Sequence, residues 1–185
     1  NNWESVFGEP AWQRVPDGQW YLHLFDTTQP DLDWRNPEVS ELFDDVLRFW
    51  LDRGVDGFRF DAVGMLVENG SGAWESQPEN DVLMKSAQDL VAGYQRRTMV
   101  CEAPAAPQRF AAASACGGAF AFDLNGTLVN AARGNTASVA SASQYFTTAP
   151  AGMKTFLSNH DGFAGQRLWD QLGGDTAQYK LAAAS

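Results

Sequence analysis

The apolar residues between Asn36 and Gly54 recur at intervals of three and four residues, which is the period of one face of an α-helix. The residues that make this face are Val39, Leu42, Phe43, Val46, Leu47 and Trp50. Asn36 is a suitable N-cap, Pro37 fits the first helical position, and Gly54 ends the pattern. The sequence therefore predicts an amphipathic helix here, with its apolar face turned toward the core.

The pattern then changes to an alternation of two residues, which is typical of a β-strand. Along residues 56–62, Phe58 and Phe60 fall on one face, while Arg59 and Asp61 fall on the other. A guanidinium and a carboxylate on one face of a buried strand are costly to desolvate unless they pair. Taken alone, these two charges fit a structural ion pair as well as an active site.

The succession of helices and strands continues along the chain. The predicted strands cover 55–61, 98–102, 119–124 and 154–158, and the further predicted helices cover 81–96, 107–115, 128–133, 137–146 and 175–184. Asn80 is the predicted N-cap of the helix over 81–96. The residues expected on the inward face of that helix are Val82, Leu83, Ala87, Leu90, Val91 and Tyr94. Short strands that alternate with helices indicate an α/β fold with a parallel sheet.

The first 34 residues differ from the rest, because they are rich in aromatic residues, Pro, Gly and Asp and show little periodicity. One short strand is predicted there, over 20–25. The chain begins at Asn1 without an initiator Met and ends within the last predicted helix. We therefore expect both ends to be internal to a longer protein.

The net charge of −10 argues against a nucleic acid or an anionic membrane as partner, since both require clustered Lys and Arg. No apolar run approaches the roughly 20 residues of a membrane-spanning helix. The charge suits a neutral or cationic small molecule. The two cysteines, Cys101 and Cys116, form no disulfide framework and no metal-ligand pattern, so we expect two buried free thiols.

Acidic residues follow the predicted parallel strands, at Asp61, Glu102, Asp123 and Asp161. Active sites of α/β barrels and open sheets lie at these carboxyl ends. Arg59 should keep Asp61 ionised, and the apolar run before Glu102 should raise the pKa of Glu102 and retain its proton. Asp161 follows the polar pair Asn159 and His160.

Glycosidic bond cleavage can use three acids of this kind: one ionised carboxylate, one protonated carboxyl group and one carboxyl group that polar neighbours position. Each acid also has a structural interpretation of its own: Asp61 in an ion pair, Glu102 as a helix cap, and His160 with Asp161 in a turn. The occurrence of all three together favours the catalytic interpretation.

Three segments of the chain resemble signature strands of the α-amylase family, glycoside hydrolase family 13. They are Gly57-Phe58-Arg59-Phe60-Asp61-Ala62, Val100-Cys101-Glu102 and Phe156-Leu157-Ser158-Asn159-His160-Asp161. Gln29-Pro30-Asp31-Leu32 is similar to a fourth family motif, in the form associated with oligo-1,6-glucosidases and α-glucosidases. The motifs occur in the order and at the approximate spacing of the family, and the resemblance covers nearly the whole chain.

The resemblance implies a (β/α)₈ TIM barrel, of which this chain would hold strands four to seven. Residues 1–34 would end the loop-rich insertion that precedes the helix leading to strand four, and residues 35–185 would be the partial barrel. The chemistry implied requires no cofactor. The family's first signature, which in amylases helps to hold a structural calcium ion, is absent from this sequence, so the sequence leaves calcium in the full-length protein undecided.

The resemblance also assigns roles to residues of the three motifs. Asp61 would be the nucleophile that forms a covalent glycosyl intermediate, Glu102 the general acid and then the base, and Asp161 a stabiliser of the oxocarbenium-like transition state. Arg59 would orient Asp61, and His160 with its neighbour Asn159 would bind the sugar.

The sequence departs from the family pattern at three positions. Met65 stands where His or Lys is frequent, Cys101 where Gly usually precedes the acid, and Asp33 where Asn is common. The change at Met65 favours an enzyme of small oligosaccharides. Among the aromatic residues, Trp74 is the best candidate for a sugar-stacking platform, whereas His23 is expected to be structural.

We therefore predict a fragment of a retaining hydrolase acting on α-1,4- or α-1,6-linked glucose in starch or oligosaccharides. Two alternatives remain at this point. One is a transglycosylase or isomerase of the sucrose or trehalose type, which uses the same intermediate. The other is a non-catalytic relative that binds carbohydrate or a protein, although such relatives typically lose one or more of the three acids.

Overall fold

Four parallel strands form the main sheet of the structure. The computed structural model describes residues 2–161 and 166–184. Its strands are β1 (Trp12–Arg14), β2 (Trp20–Leu22), β3 (Gly57–Phe60), β4 (Thr98–Cys101), β5 (Ala119–Phe120) and β6 (Met153–Lys154). Its α-helices are α1 (Pro37–Asp52), α2 (Pro78–Ala92), α3 (Pro107–Ala111), α4 (Phe122–Ala132), α5 (Thr136–Thr148), α6 (Leu168–Gln171) and α7 (Thr176–Ala184), and Val63–Met65 forms a 3₁₀ turn.

The sheet order is β3-β4-β5-β6, and every pairing is parallel, as the sequence predicts for an α/β fold. The number of paired residues is largest between β3 and β4. β3 and β4 share four pairs, β4 and β5 share one, and β5 and β6 share two. The strands predicted over 119–124 and 154–158 are therefore much shorter in the structure.

The region before α1 contains the antiparallel pair β1 and β2, with Trp12 opposite Leu22. Only the second of these strands was predicted, because the three residues of β1 show no apolar alternation. His23 is buried, and its Nδ1 lies 3.0 Å from the carbonyl oxygen of Phe25, which confirms its structural role. Asp31, in the fourth motif, accepts a 2.5 Å hydrogen bond from the backbone N–H of Leu24.

Helix α1 begins as predicted, because the Asn36 side chain accepts a hydrogen bond from the backbone N–H of Glu38 at 3.0 Å. Its burial differs from the prediction: Leu47 and Leu51 are buried, whereas four other residues of the apolar face are exposed, namely Leu42, Phe43, Val46 and Trp50. Phe43, Val46 and Trp50 border a cleft of about 880 Å³ along the free edge of β3. The helix thus covers the sheet with only part of its apolar face.

Helix α2 begins three residues earlier than predicted, because Pro78 takes the first helical position. Asn80 is therefore not the N-cap. It lies in the first turn, fully buried, and its side-chain amide donates a 2.7 Å hydrogen bond to the carbonyl oxygen of Gly64. Val82, predicted to face inward, is exposed, whereas Ala87 and Val91 are buried.

The remaining helices follow the predicted order with shifted bounds. α3 is shorter than predicted, and α4 begins six residues before the predicted start at 128. As a result Asp123 lies in the first turn of α4 rather than at a strand end. Within the described residues, no helix is long and apolar enough to cross a membrane.

The main core lies between one face of the sheet and helices α1, α2 and α3. Phe58 and Phe60 pack on this core as the alternation predicts, with their rings 6.1 Å apart. Cys101 and Cys116 are buried in the same core, but they form a disulfide. The prediction of two free thiols was therefore wrong, because the chain folds back after α3 and brings the two residues together.

Candidate active site

Asp61 and Glu102 meet because of the register between β3 and β4. Phe60 pairs with Cys101 as the last pair of the ladder, and the two acids follow one residue later on neighbouring strands. The backbone N–H of Glu102 donates to the carbonyl oxygen of Phe60 at 2.8 Å, and the N–H of Val63 donates to the carbonyl oxygen of Glu102 at 3.1 Å. The ladder thus continues past the strand ends and fixes both Cα positions.

Arg59 connects the two acids, since its guanidinium donates to both. One terminal nitrogen bonds the carboxylate of Asp61, and the other bonds Oε2 of Glu102 at 2.8 Å. The backbone N–H of Ala62 donates to the same Oε2 at 3.2 Å. Ala62 has a φ of +46°, which is unfavourable for a residue with a Cβ, and this turn directs its N–H toward Glu102.

The environments of the two carboxyl groups differ strongly in exposure. The side chain of Asp61 is 73% exposed, whereas that of Glu102 is 7% exposed. Burial, followed by a hydrogen bond with Asp61, raises the pKa of Glu102, and the Ala62 N–H and the Arg59 charge only partly oppose this rise. Glu102 therefore retains its proton to a higher pH than an ordinary glutamic acid.

The pKa of Asp61 shifts in the opposite direction. Partial burial of its carboxyl group raises its pKa, but the hydrogen bond with Glu102 and the charge and hydrogen bond of Arg59 together outweigh this effect, so the pKa is lowered. The positive charge of protonated His160 lowers it further. The two pKa shifts thus have opposite directions, downward for Asp61 and upward for Glu102, which are the directions expected from the sequence.

Asp161 lies in the irregular segment after β6 rather than directly at a strand end. The side-chain oxygen of Asn159 accepts a hydrogen bond from the Asp161 N–H at 2.8 Å, and His160 Nε2 lies 3.5 Å from Asp161 Oδ1. The His160 side chain is 74% exposed. The effect of His160 on Asp61 indicates that this segment lies on the same side of the sheet as the Asp61–Glu102 pair.

Two further candidates lie away from this pair. Trp74 is half-buried in the loop between the 3₁₀ turn and α2, and its role in stacking on sugar stays a prediction. Asp123 accepts hydrogen bonds from Tyr145 at 2.9 Å and from Gln108 at 2.8 Å. It therefore ties α4 to α5 and α3, which is a structural role.

Sequence reasoning missed two groups that support the acids. The first is the Ala62 N–H, which a left-handed backbone conformation orients and no sequence pattern indicates. The second is Asn125, which is buried on α4 and donates through its side chain to the carbonyl oxygen of Phe156 at 3.2 Å. An Asn inside an apolar helix face was the available signal for the second group.

The chain offers no arrangement for a metal in the part that the structure describes: no group of three or more His, Cys, Asp or Glu side chains is disposed to hold an ion. The cleft beside β3 reaches Arg59 and Asp61 at one end, but most of its lining is apolar. A cleft lined in this way resembles an uncovered part of a protein core more than a polar sugar site.

Comparisons with known proteins show what the chain is similar to. Residues 1–184 match the family model described as the alpha-amylase catalytic domain. A probable oligo-1,6-glucosidase of Bacillus subtilis is 55% identical over 64 residues, and an α-glucosidase of Schizosaccharomyces pombe is 55% identical over 70 residues. These alignments cover 34% and 37% of this chain and 12% of each relative.

Solved structures extend the similarity over most of the chain. An α-glucosyl transfer enzyme has a TM-score of 0.74 at 28% identity, covering 96% of this chain and 38% of its own. A trehalulose synthase mutant has a TM-score of 0.70 at 27% identity, covering 87% of this chain and 34% of its own. The chain thus spans well under half the length of these relatives.

Proposed function

Because this chain belongs to the α-amylase family of glycosyl hydrolases, we propose that it carries the catalytic carboxylates of a retaining enzyme that cleaves α-glucosidic bonds. Its four parallel strands and their helices are part of a (β/α)₈ TIM barrel. We propose that they are strands four to seven, with residues 1–34 as the end of the loop-rich insertion before them. The activity would belong to the complete barrel.

The proposed reaction begins with the attack of the Asp61 carboxylate on the anomeric carbon. The bond from that carbon to the glycosidic oxygen breaks while Glu102 donates its proton to this oxygen, and the sugar remains as an ester of Asp61. In the second step ionised Glu102 accepts a proton from water, the water oxygen attacks the anomeric carbon, and Asp61 leaves as a carboxylate. Both carboxyl groups return to their starting states.

The observation that carries this proposal is the Arg59 guanidinium, which bonds the carboxyl groups of both Asp61 and Glu102, and the opposite pKa shifts of the two acids agree with it. Retaining enzymes require carboxyl groups about 5–5.5 Å apart, whereas inverting enzymes separate them by about 6.5–9.5 Å to admit a water. Two carboxyl groups held by one guanidinium lie close together, which supports the retaining arrangement over the wider inverting one. Arg59 supports it as well, because its charge keeps the nucleophile ionised at neutral pH.

We assign supporting roles to the segment after β6 and to the loop after β3. Asp161 would stabilise positive charge on the sugar ring in the transition state, with His160 and Asn159 binding its hydroxyl groups. Trp74 would stack on an apolar sugar face. None of these roles requires a cofactor, and no step of the proposed reaction involves a metal.

The proposed substrates are short α-linked glucose oligomers joined by α-1,4 or α-1,6 bonds. The support for this class is the group of relatives named oligo-1,6-glucosidase and α-glucosidase. Met65 is consistent with it, since a basic residue at that position is associated with attack on longer chains. Nucleic acid and membrane surfaces remain unsuitable partners for a chain with a net charge of −10.

Transfer of the glucosyl group to a sugar is the second candidate function. It is favoured by structural neighbours described as an α-glucosyl transfer enzyme and a trehalulose synthase. The glucosyl ester on Asp61 is common to both reactions, and the outcome depends on whether water or a sugar hydroxyl reaches it. Product analysis after incubation with maltose and with sucrose separates the two: free glucose in proportion to bonds cleaved indicates hydrolysis, and new disaccharides indicate transfer.

The nucleophile is tested in the full-length protein that contains this chain, with an aryl α-glucoside as substrate. Asp61→Asn should reduce kcat/KM by about 10⁴-fold or more, which is the scale for loss of a nucleophile. Asp56→Asn is the matched control, because Asp56 precedes the same strand at its amino end and is 95% exposed. Near-normal activity of the Asp61 variant would refute the assignment. A 2-fluoro glucosyl fluoride should label Asp61 covalently in the unmodified enzyme.

The 185-residue chain alone is expected to have little or no hydrolase activity. A free edge on β3 and an apolar helix face open to solvent are unfavourable for an isolated half-barrel. The assay is turnover of an aryl α-glucoside by the purified chain, with its Glu102→Gln variant as control. Turnover that disappears in this variant would contradict the expectation.

A further inference from the structure

The disulfide between Cys101 and Cys116 closes a ring of the chain directly beside the proposed acid. Glu102 is the first residue within the ring, followed by the loop to α3 and then α3 itself. Cys101 is 0% exposed and Cys116 is 1% exposed. The disulfide is therefore a buried connection between the strand that carries Glu102 and the turn that precedes the next strand.

The disulfide lies where the sheet has the fewest backbone hydrogen bonds. β4 pairs with β5 through one residue pair, Cys101 with Ala119, whereas β4 pairs with β3 through four. The Cys101 N–H donates to the carbonyl oxygen of Gly118 at 2.9 Å. The strands approach closely there, since a Cβ on Gly118 would lie 2.7 Å from the carbonyl oxygen of Met99. A covalent bond from Cys101 thus reinforces a short ladder.

The ring has buried residues besides Glu102 and the two cysteines. Ala103, Phe110 and Ala111 lie within it and are each at most 3% exposed. On its outer side, Arg109 holds the ring to the segment before α2, through the carbonyl oxygens of Ser76 at 2.6 Å and Gln77 at 3.2 Å. The disulfide holds the ring at a second place, where its two ends meet. The ring is therefore fixed at two points, with Glu102 next to one of them.

We infer that the Cys101–Cys116 disulfide is a positioning element for Glu102, holding its carboxyl group in line for proton donation to the leaving oxygen. This inference rests on the proposed function of Glu102 as general acid. The cysteines do not touch substrate. They act through the strand end, by restricting movement of β4 relative to β5.

The leaving group of the substrate provides a test specific to this role. An aryl group with an acidic phenol departs with little help from a proton donor, whereas an alkyl group requires protonation. In the full-length protein, the double variant Cys101→Ala with Cys116→Ala should lose about tenfold or more in kcat/KM for methyl α-glucoside. For 4-nitrophenyl α-glucoside the loss should be severalfold smaller. Partial unfolding would reduce both rates equally.

A second measurement covers the case in which the double variant does not fold. Dithiothreitol converts the disulfide of the unmodified protein to two thiols while it becomes a cyclic disulfide itself, and alkylation followed by mass spectrometry counts the thiols formed. The reduced enzyme should show the same leaving-group dependence, and reoxidation should reverse it. An equal loss for both substrates, no loss, or free thiols in the untreated protein would each overturn the inference.

Glu102→Gln in the same pair of assays distinguishes this inference from the proposed function. That variant should show a larger leaving-group dependence than the cysteine variant. If Glu102→Gln retains full activity on both substrates, the proposed function fails. If Glu102→Gln behaves as expected and the cysteine variant matches the unmodified enzyme, only the role of the disulfide fails.

Discussion

The two acids between β3 and β4 and the third acid after β6 are held in very different ways. Asp61 and Glu102 follow a ladder of four residue pairs, and their carboxyl groups share one arginine and one hydrogen bond. Asp161 comes seven residues after a strand of only two residues, and its close contacts are with its own neighbours Asn159 and His160. One region is built by strand pairing and the other by a loop.

This difference shows which part of the site the chain can organise by itself. Strand register sets the Asp61–Glu102 pair, and burial with Arg59 sets its protonation states. For the segment of Asp161, the contacts with other parts of the chain are made by its other residues, such as Phe156, whose carbonyl oxygen accepts from Asn125, and Asn159, whose carbonyl oxygen accepts from Arg167. We infer that the pair is preorganised for chemistry, whereas the position of Asp161 depends more on its surroundings and on bound sugar.

Among the changes that test this comparison, the largest expected effect comes from removing the arginine that connects the paired acids. Arg59→Leu in the full-length protein should lower kcat/KM for an aryl α-glucoside by about a hundredfold or more, the usual scale for a preorganised charge at an active site. The physical reason is that two carboxyl groups would face each other without the guanidinium. Steady-state kinetics on the purified variant measure this loss.

The matched control is Arg97→Leu, at the opposite end of the same two strands. Arg97 pairs with Asp56 at 3.1 Å, just before β4 and β3 begin. Asp56 is almost fully exposed, and ion pairs of this kind contribute about 0–1 kcal/mol. This variant should keep nearly full activity. Equal losses in both variants would mean that Arg59 acts on stability and not on the acids.

The pH profile of Arg59→Leu sharpens the same test. Activity requires ionised Asp61 and protonated Glu102, so it falls below the pKa of Asp61 and above that of Glu102. Arg59 lowers the pKa of both groups, and its removal should raise both. The acid limb and the alkaline limb of kcat/KM should therefore both move to higher pH, with the two apparent values belonging to the coupled pair. An unmoved acid limb would contradict this prediction.

The contrast between the two regions also explains what could be predicted from the sequence. The alternation in 56–62 and the polar cap at Asn36 depend on neighbours in the chain, and the structure agrees with both. Asn80 misled the prediction, because Pro78 starts α2 before it. Asp123 misled it too, because the apolar residues that surround it belong to a helix and not to a longer strand. In such cases, neighbouring residues that can each start a helix compete, and this competition decides where the helix begins.

The other differences involve contacts between distant parts of the chain. Cys101 and Cys116 become neighbours only after α3 reverses the chain, which spacing alone does not indicate. The apolar face of α1 was expected to be buried, yet Phe43 and Val46 remain exposed beside the free edge of β3. Periodicity identifies an apolar face but does not identify what covers it.

A smaller effect is expected from loosening the support of the loop that carries Asp161. Asn125→Ala removes the hydrogen bond to the carbonyl oxygen of Phe156 and should lower kcat about tenfold, because misplacement of a charged group by about 1 Å can cost up to a hundredfold. Asn130→Ala is the control, since Asn130 lies on the same helix but is exposed. Equal activity of the two variants would show that Asn125 does not position this loop.

The smallest effect on the acid limb is expected at His160, which influences the same carboxylate as Arg59 from the other region. Both charges lower the pKa of Asp61, but Arg59 does so through a direct hydrogen bond, whereas the His160 side chain is 74% exposed. His160→Gln should therefore move the acid limb of kcat/KM to higher pH by less than Arg59→Leu does. Its influence should also weaken with salt, since exposed charges are screened within about 10 Å at 0.1 M ionic strength. The pH profiles of kcat/KM at low and at high ionic strength measure this shift and its dependence on salt, with Arg97→Leu as the control variant. The contrary result would be a shift of the acid limb that is as large as that of Arg59→Leu and unchanged by salt. It would mean that the loop holds His160 against Asp61 as firmly as the strands hold Arg59. The distinction between the two regions would then be wrong.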